Sequence, residues 1–163
     1  MARCTHRGLV NPPVLAHVGP MHLHRVLIQP EDTDLMGRVQ GPAVLKYFEQ
    51  GRDHYFGLPD LTRLFGQTGI GFAVHRASMH HRGTATVGDR VVIRTSVAAQ
   101  GEWRMACHQD MVMDTPAFTP VVSARLEMVC ISRQLTLVAV PAWVRERVAQ
   151  RGAPEAGTSH GAA

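Results

Sequence analysis

Apolar and polar positions alternate over residues 21–29, with His22, His24, Val26 and Ile28 on one side and Leu23, Arg25 and Leu27 on the other, a period of two that predicts a strand. The period changes over residues 41–57. There Val44, Tyr47, Phe48, Gly51 and Tyr55 fall at i, i+3, i+4, i+7 and i+11, while Lys46, Glu49, Gln50 and Asp53 take the opposite side, which predicts an amphipathic helix. Gly57 and Pro59 mark its end. After a short connecting stretch, four segments rich in β-branched and apolar residues follow, at 70–81, 90–100, 103–113 and 119–131, separated by Gly83, Gly88-Asp89, Gly101 and Pro116. A fifth, 135–140, stops at Pro141 before a last short helix over 143–149. One amphipathic helix followed by a run of adjacent strands predicts an α+β domain, an antiparallel sheet wrapped around one long central helix. Such a sheet leaves an edge and part of the helix uncovered, so the pattern also predicts a homodimer or homotetramer, formed through an edge strand or a sheet face.

At 163 residues the chain is long enough for one domain, placed at 21–149. Residues 1–20, with Pro12, Pro13 and Pro20, and residues 150–163, rich in Gly and Ala with Ser and Thr, lack a hydrophobic face and are expected to be a flexible segment and a disordered tail. No run approaches the roughly 20 apolar residues that span a bilayer, and no apolar core with a cleavage pattern follows Arg3 and Arg7, so a cytoplasmic location is the expectation. Cys4, Cys107 and Cys130 are odd in number and far apart, which argues against a disulfide framework or a structural zinc site. The net charge of +4 favours anionic partners. Nucleic acid is not expected among them, because no stretch interleaves Arg with stacking aromatics.

The chemistry concentrates before the helix. A helix start leaves N–H groups unpaired and carries partial positive charge, so it can hold a developing oxyanion. With Gly41 as N-cap and Pro42 as first helical residue, the free donors are expected at Gly41, Ala43 and Val44, and Gly41 has no side chain to block a carbonyl. Asp34 lies seven residues earlier across a loop containing Gly37. Ionised at neutral pH, it can attack a polarised thioester or activate water against it. The same Asp-Thr-Asp spelling is also an ordinary Asx-turn and capping pattern.

The run "EDTDLMGRV" followed by "YFEQGRDHYF" resembles the hotdog-fold thioesterases of the 4-hydroxybenzoyl-CoA thioesterase type, and the resemblance continues through "GIGFAVHRASMHHRGTATVGDRVVI" and "VVSARLEMVCIS". It implies an acyl-CoA or acyl-carrier-protein thioesterase that needs no cofactor, with Asp34 as catalytic carboxylate, the Gly41 amide as ligand of the thioester carbonyl, and Asp32 as a structural residue. Gln50 to Arg52 is also similar to a sub-branch that releases polyketide chains from carrier proteins in enediyne biosynthesis, although members of that branch tend to have Asn where this chain has Asp34. A non-catalytic acyl-thioester binder is the remaining alternative.

Glu49, eight residues past Gly41 and so about 12 Å along the axis at 1.5 Å per residue, is the second candidate base, against a structural pairing with Arg52 or a partner chain. Val44, Arg52, Arg76 and Arg82 are candidate substrate-binding positions, with Arg76, Arg82, Arg90 and Arg133 able to pair with coenzyme A phosphates. His22 with His24 and His80 with His81 lack an accompanying ligand motif, so no metal is expected. Ser78 and Ser123 are read as strand serines, and Met105, Met111 and Cys107 as core.

Overall fold

The computed structural model describes residues 21–152. Its strands are β1 (His22–Leu27), β2 (Gly71–His81), β3 (Arg90–Gln100), β4 (Arg104–Met113), β5 (Pro120–Ile131) and β6 (Leu137–Val138), and its helices α1 (Gly41–Phe56), α2 (Leu58–Thr68) and α3 (Ala142–Gly152). The strands form one sheet in the order β1-β3-β4-β5-β2, every pairing antiparallel. β4 begins at Arg104 opposite Val129, and β6 continues along the same edge of β5 at Cys130 and Ile131.

α1 lies on one face of the sheet, called here the inner face. Val44, Tyr47 and Phe48 pack with Val91, Ile93, Met111, Val122 and Ala124, and Tyr55 and Phe56 with Val97, Met105, Cys107, Leu126 and Met128. Each fully buried side chain of this size contributes about 1.5–3 kcal/mol, so this stripe fixes which way α1 faces. Gly51 lets it lie close. A Cβ there would stand 2.6 Å from Cγ2 of Ile93 and 3.0 Å from Oγ1 of Thr95. Cys107 and Cys130 are buried free thiols whose pKa burial pushes up to about 12, core residues rather than nucleophiles.

The expected fifth strand segment, 135–140, is strand only at Leu137–Val138, and two helix boundaries also differ from the sequence reading. The supposed connecting stretch is α2, an 11-residue helix. Gly57, at φ 85°, does end α1, but Pro59 stands in the first turn of the next helix, where its missing N–H is not needed. A proline just after a helix can begin another one, and Leu61 and Leu64 supply the apolar side that packs it down. α3 runs on through Gly152, so 150–152 are not tail. The extension has an anchor: Arg147 donates to Phe56 O and to Asp60 Oδ2 (2.7 Å), and Arg151 donates to Tyr55 O. The expected flexible segment at 1–20 and the rest of the expected tail at 153–163 lie outside the described residues.

Candidate functional site at the N-terminal end of α1

The segment before α1 folds back on itself. Thr33 and Val39 form an antiparallel bridge, Gln40 N–H donates to Asp32 O (3.1 Å), and Asp34 N–H donates to Arg38 O (2.8 Å). Arg38 bridges to Thr86, and Val39 N–H donates to Ala85 O, which ties the loop to the turn before β3. Asp32 therefore stands at the foot of a short ribbon beside the helix entrance. Asp34 stands two residues further out, about 7 Å at roughly 3.3 Å per residue.

The cap differs by one position from the sequence reading. Gln40 is the N-cap, with extended backbone (φ −96°, ψ 157°), and Gly41 and Pro42 are the first two helical residues. Val44 N–H donates to Gln40 O (3.1 Å), so it is not a free donor; its side chain is wholly buried in the core. Gly41 and Ala43 keep N–H groups with no hydrogen bond among the described residues, and no side chain caps the end. A Cβ built on Gly41 would meet nothing within 4 Å. The electropositive tip of a buried helix is thus open at Gly41.

The two aspartates divide sharply. Asp32 is 5% exposed, and its carboxylate accepts from Lys46 Nζ and Tyr47 Oη. Burial alone would raise its pKa, but those two partners outweigh it and hold the group below the usual carboxylate range. The Tyr47 hydroxyl is pushed up to about 12 by burial and by Asp32. Asp34 is half-buried, and four donors meet its carboxylate. Oδ1 accepts from Met36 N–H (2.8 Å) and Arg38 N–H (3.0 Å), and Oδ2 from Arg38 Nε (3.1 Å) and Nη2 (2.9 Å). The Arg38 amide, then its guanidinium, keep Asp34 ionised well below its ordinary value. The Asx-turn and the ionised carboxylate of the sequence reading are therefore one structure.

The remaining candidates are spread over the molecule. Glu49 is exposed and forms no ion pair with Arg52 among the described residues. Arg52 instead donates through Nη1 to Gln109 Oε1 (2.9 Å), and Gln109, fully buried, donates through Nε2 to Phe48 O (2.8 Å) and Thr95 Oγ1 (2.9 Å). Arg52 thus completes a buried amide's hydrogen bonds where the sequence suggested it holds a carboxylate. Glu49, Arg52 and Asp53 rim a cleft of about 440 Å³ walled by Phe56, Leu61 and Phe72. Burial and the Glu49 charge raise the Asp53 pKa. Arg76 and Arg82 lie exposed, Arg76 on the sheet face away from α1 and Arg82 just past β2. No group of three or more His, Cys, Asp or Glu among the described residues is arranged to hold a metal.

Four contributing residues were missed. Arg38 carried a signal, standing four residues after Asp34. Gln109 did too, as a polar residue at an inward position between Cys107 and Met111. The pairing of Lys46 and Tyr47 with Asp32 spans 14 and 15 residues and had none.

A family model described as thioesterase-like superfamily matches residues 28–148. No curated protein sequence matches the chain significantly. Among solved structures, a 1,4-dihydroxy-2-naphthoyl-CoA thioesterase from Synechocystis superposes with a TM-score of 0.71 at 15% identity, over 79% of this chain and 96% of that one. The dynemicin thioesterase, whose structure is described with bound polyene, gives 0.72 at 20% identity, over 82% and 99%. A mutant 4-hydroxybenzoyl CoA thioesterase complexed with 4-hydroxybenzoyl CoA gives 0.72 at 20% identity, over 78% and 98%.

Proposed function

The chain belongs to the thioesterase-like superfamily and has the hotdog fold, and on that premise we propose that it hydrolyses an acyl-CoA or acyl-carrier-protein thioester at the N-terminal end of α1. The observation that carries the reading is the Gly41 N–H, unpaired among the described residues, at an open, electropositive helix tip. The thioester carbonyl accepts from this amide, which stabilises the oxyanion as the carbonyl carbon becomes tetrahedral. Asp34, ionised in its loop, attacks that carbon or takes a proton from the attacking water, and the thiolate leaves.

Asp34 has about four lone-pair directions, and four donors already occupy them. Chemistry therefore requires one oxygen to be released. The Arg38 side chain is 49% exposed, while the other two donors are backbone amides, so Arg38 is the contact that yields and Oδ2 the atom that reacts. Glu49 is the alternative base; its distance along α1 from Gly41 means that it would serve a carbonyl held by a partner protomer. β2, an 11-residue edge strand with one side unpaired among the described residues, is the surface for a homodimer, and a homotetramer would pair two of these.

A second reading rests on the same carboxylate. If the four contacts persist with substrate bound, the protein holds an acyl thioester without cleaving it. Thiol release over a panel of acyl-CoA and acyl-carrier thioesters, for wild type and Asp34→Ala, separates the two. Hydrolysis by wild type that collapses in Asp34→Ala supports the enzyme. No release, or equal release by both, overturns it. Single turnover in ¹⁸O-water then places the label in Asp34 if it is the nucleophile, and only in the product acid if it is the base.

A further inference from the structure

The outer face of the sheet, opposite α1, carries rows of side chains that neither the core nor the proposed site uses. One row runs Ser96, His108, Arg125, Ser78 across β3, β4, β5 and β2, and the next runs Ala98, Ala106, Glu127, Arg76. They line a groove of about 400 Å³, within the range of small-molecule sites. The acids of this face are already matched. Asp110 pairs with Arg94 (3.1 Å), Glu127 with Arg104 (2.6 Å) and Asp114 with Arg25 (3.3 Å). Arg76 and Arg125 have no ion pair or hydrogen bond among the described residues; Glu127 stands opposite Arg76 and lines the same groove, but its carboxylate is bound to Arg104, so the groove keeps a surplus of positive charge.

Their placement narrows the occupant. Arg125 stands opposite Ser78, and Arg76 is two residues from Ser78 on the same strand face, a diagonal that separates Cβ atoms by about 7–8 Å. Two guanidiniums at that spacing, always protonated and each offering a planar fork, converge on adjacent phosphates. Ala98 and Ala106, across Glu127 from Arg76 in the same row, make an apolar floor for a planar ring, with Gln100 at its end. A second copy of the same face would bring like charges together across a twofold axis, which disfavours that occupant. We propose that this groove binds the diphosphate of a nucleoside diphosphate, through Arg76 and Arg125, with the base over Ala98 and Ala106. The sheet separates the groove from Gly41, so the ligand is not the thioester held at the α1 tip of the same chain.

Calorimetric titration of the full chain tests it with adenosine, ADP and coenzyme A as probes. ADP is expected to bind at least 10-fold more tightly than adenosine, and Arg125→Gln and Arg76→Gln to weaken ADP at least 10-fold, with Arg125→Lys in between. Arg145→Gln, on exposed α3, is expected to change nothing. Coenzyme A binding with the same Arg125→Gln loss identifies the nucleotide end of coenzyme A as the ligand; ADP binding alone identifies a free nucleotide. Unchanged melting temperatures show that the variants fold. The proposal is overturned if ADP does not bind, if it binds Arg125→Gln as wild type, if Arg145→Gln loses as much, or if sedimentation of Arg125→Glu shows that this face joins two copies.

Discussion

The two ends of α1 hold the same kind of unpaired backbone group with opposite sign, and the protein treats them differently. At the C-terminal end Arg147 and Arg151 reach from α3 to Phe56 O and Tyr55 O, and Gly57 turns the chain into α2. Orphan carbonyls are satisfied and the negative pole is covered by two cations. At the N-terminal end, among the described residues, no side chain caps the helix, the Gly41 and Ala43 N–H groups stay unpaired, and the Asp34 carboxylate is bonded to its own loop. Asp32, the carboxylate placed to neutralise that end, is spent on Lys46 and Tyr47. One pole was closed for stability and the other left open, which is the asymmetry a site for a developing oxyanion requires.

The comparison holds if changes at the open end alter activity but not stability, and those at the closed end the reverse, and it breaks if either end does both. Asp34→Ala is expected to lower kcat for thioester hydrolysis by about 10²–10⁴, the span of a lost general base, with the melting temperature little moved. Gly41→Pro deletes one N–H and is expected to cost about 10²–10³ in kcat, while Gly41→Ala, which has open space for its Cβ, keeps activity. Gly51→Ala pushes a methyl into Ile93 and Thr95 where α1 meets the sheet, and chemical denaturation should register a loss of about 1–3 kcal/mol. Arg147→Met uncaps the closed end and should cost about 1 kcal/mol by the same measurement, with activity intact.

The smallest effect is in pH. Asp34 titrates below its ordinary value of 3.8 because the Arg38 amide and guanidinium favour the charged form. The acid limb of kcat/KM therefore lies below that value, and Arg38→Gln, which removes the guanidinium but keeps the amide, shifts it upward. The same depressed pKa gives a stability contribution present above pH 3.8 that is lost as pH falls through the folded-state value. A limb that stays put in Arg38→Gln would assign the activity to another carboxylate, Glu49 first.

Elements with a full stripe of apolar residues were legible from the chain: β1, α1 and the long strands β2 to β5 announce themselves by period alone. α2 was not, because Gly57 and Pro59 spell an ending and a beginning with the same two residues. The candidate site was half legible. Asp34 and Gly41 stand out against the helix entrance, but the Arg38 fork on Asp34 and the free state of the Gly41 amide depend on backbone geometry that no spacing specifies.

The sequence by itself determined which face of α1 is buried, where strands β1 to β5 begin to within one residue, and that an acid-rich loop precedes a Gly-Pro helix start, since these follow from local period and from the special backbones of glycine and proline. Tertiary structure decided which aspartate is buried and which is held at the surface. It also set Gln109 beneath Phe48, placed Arg147 and Arg151 on the far helix end, and left Arg76 and Arg125 unmatched on the outer face. Apart from the local hold of Arg38 on Asp34, the contacts behind those outcomes join residues 14 to 96 apart, and only the packed sheet brings such groups within the few ångströms over which a hydrogen bond or an ion pair acts.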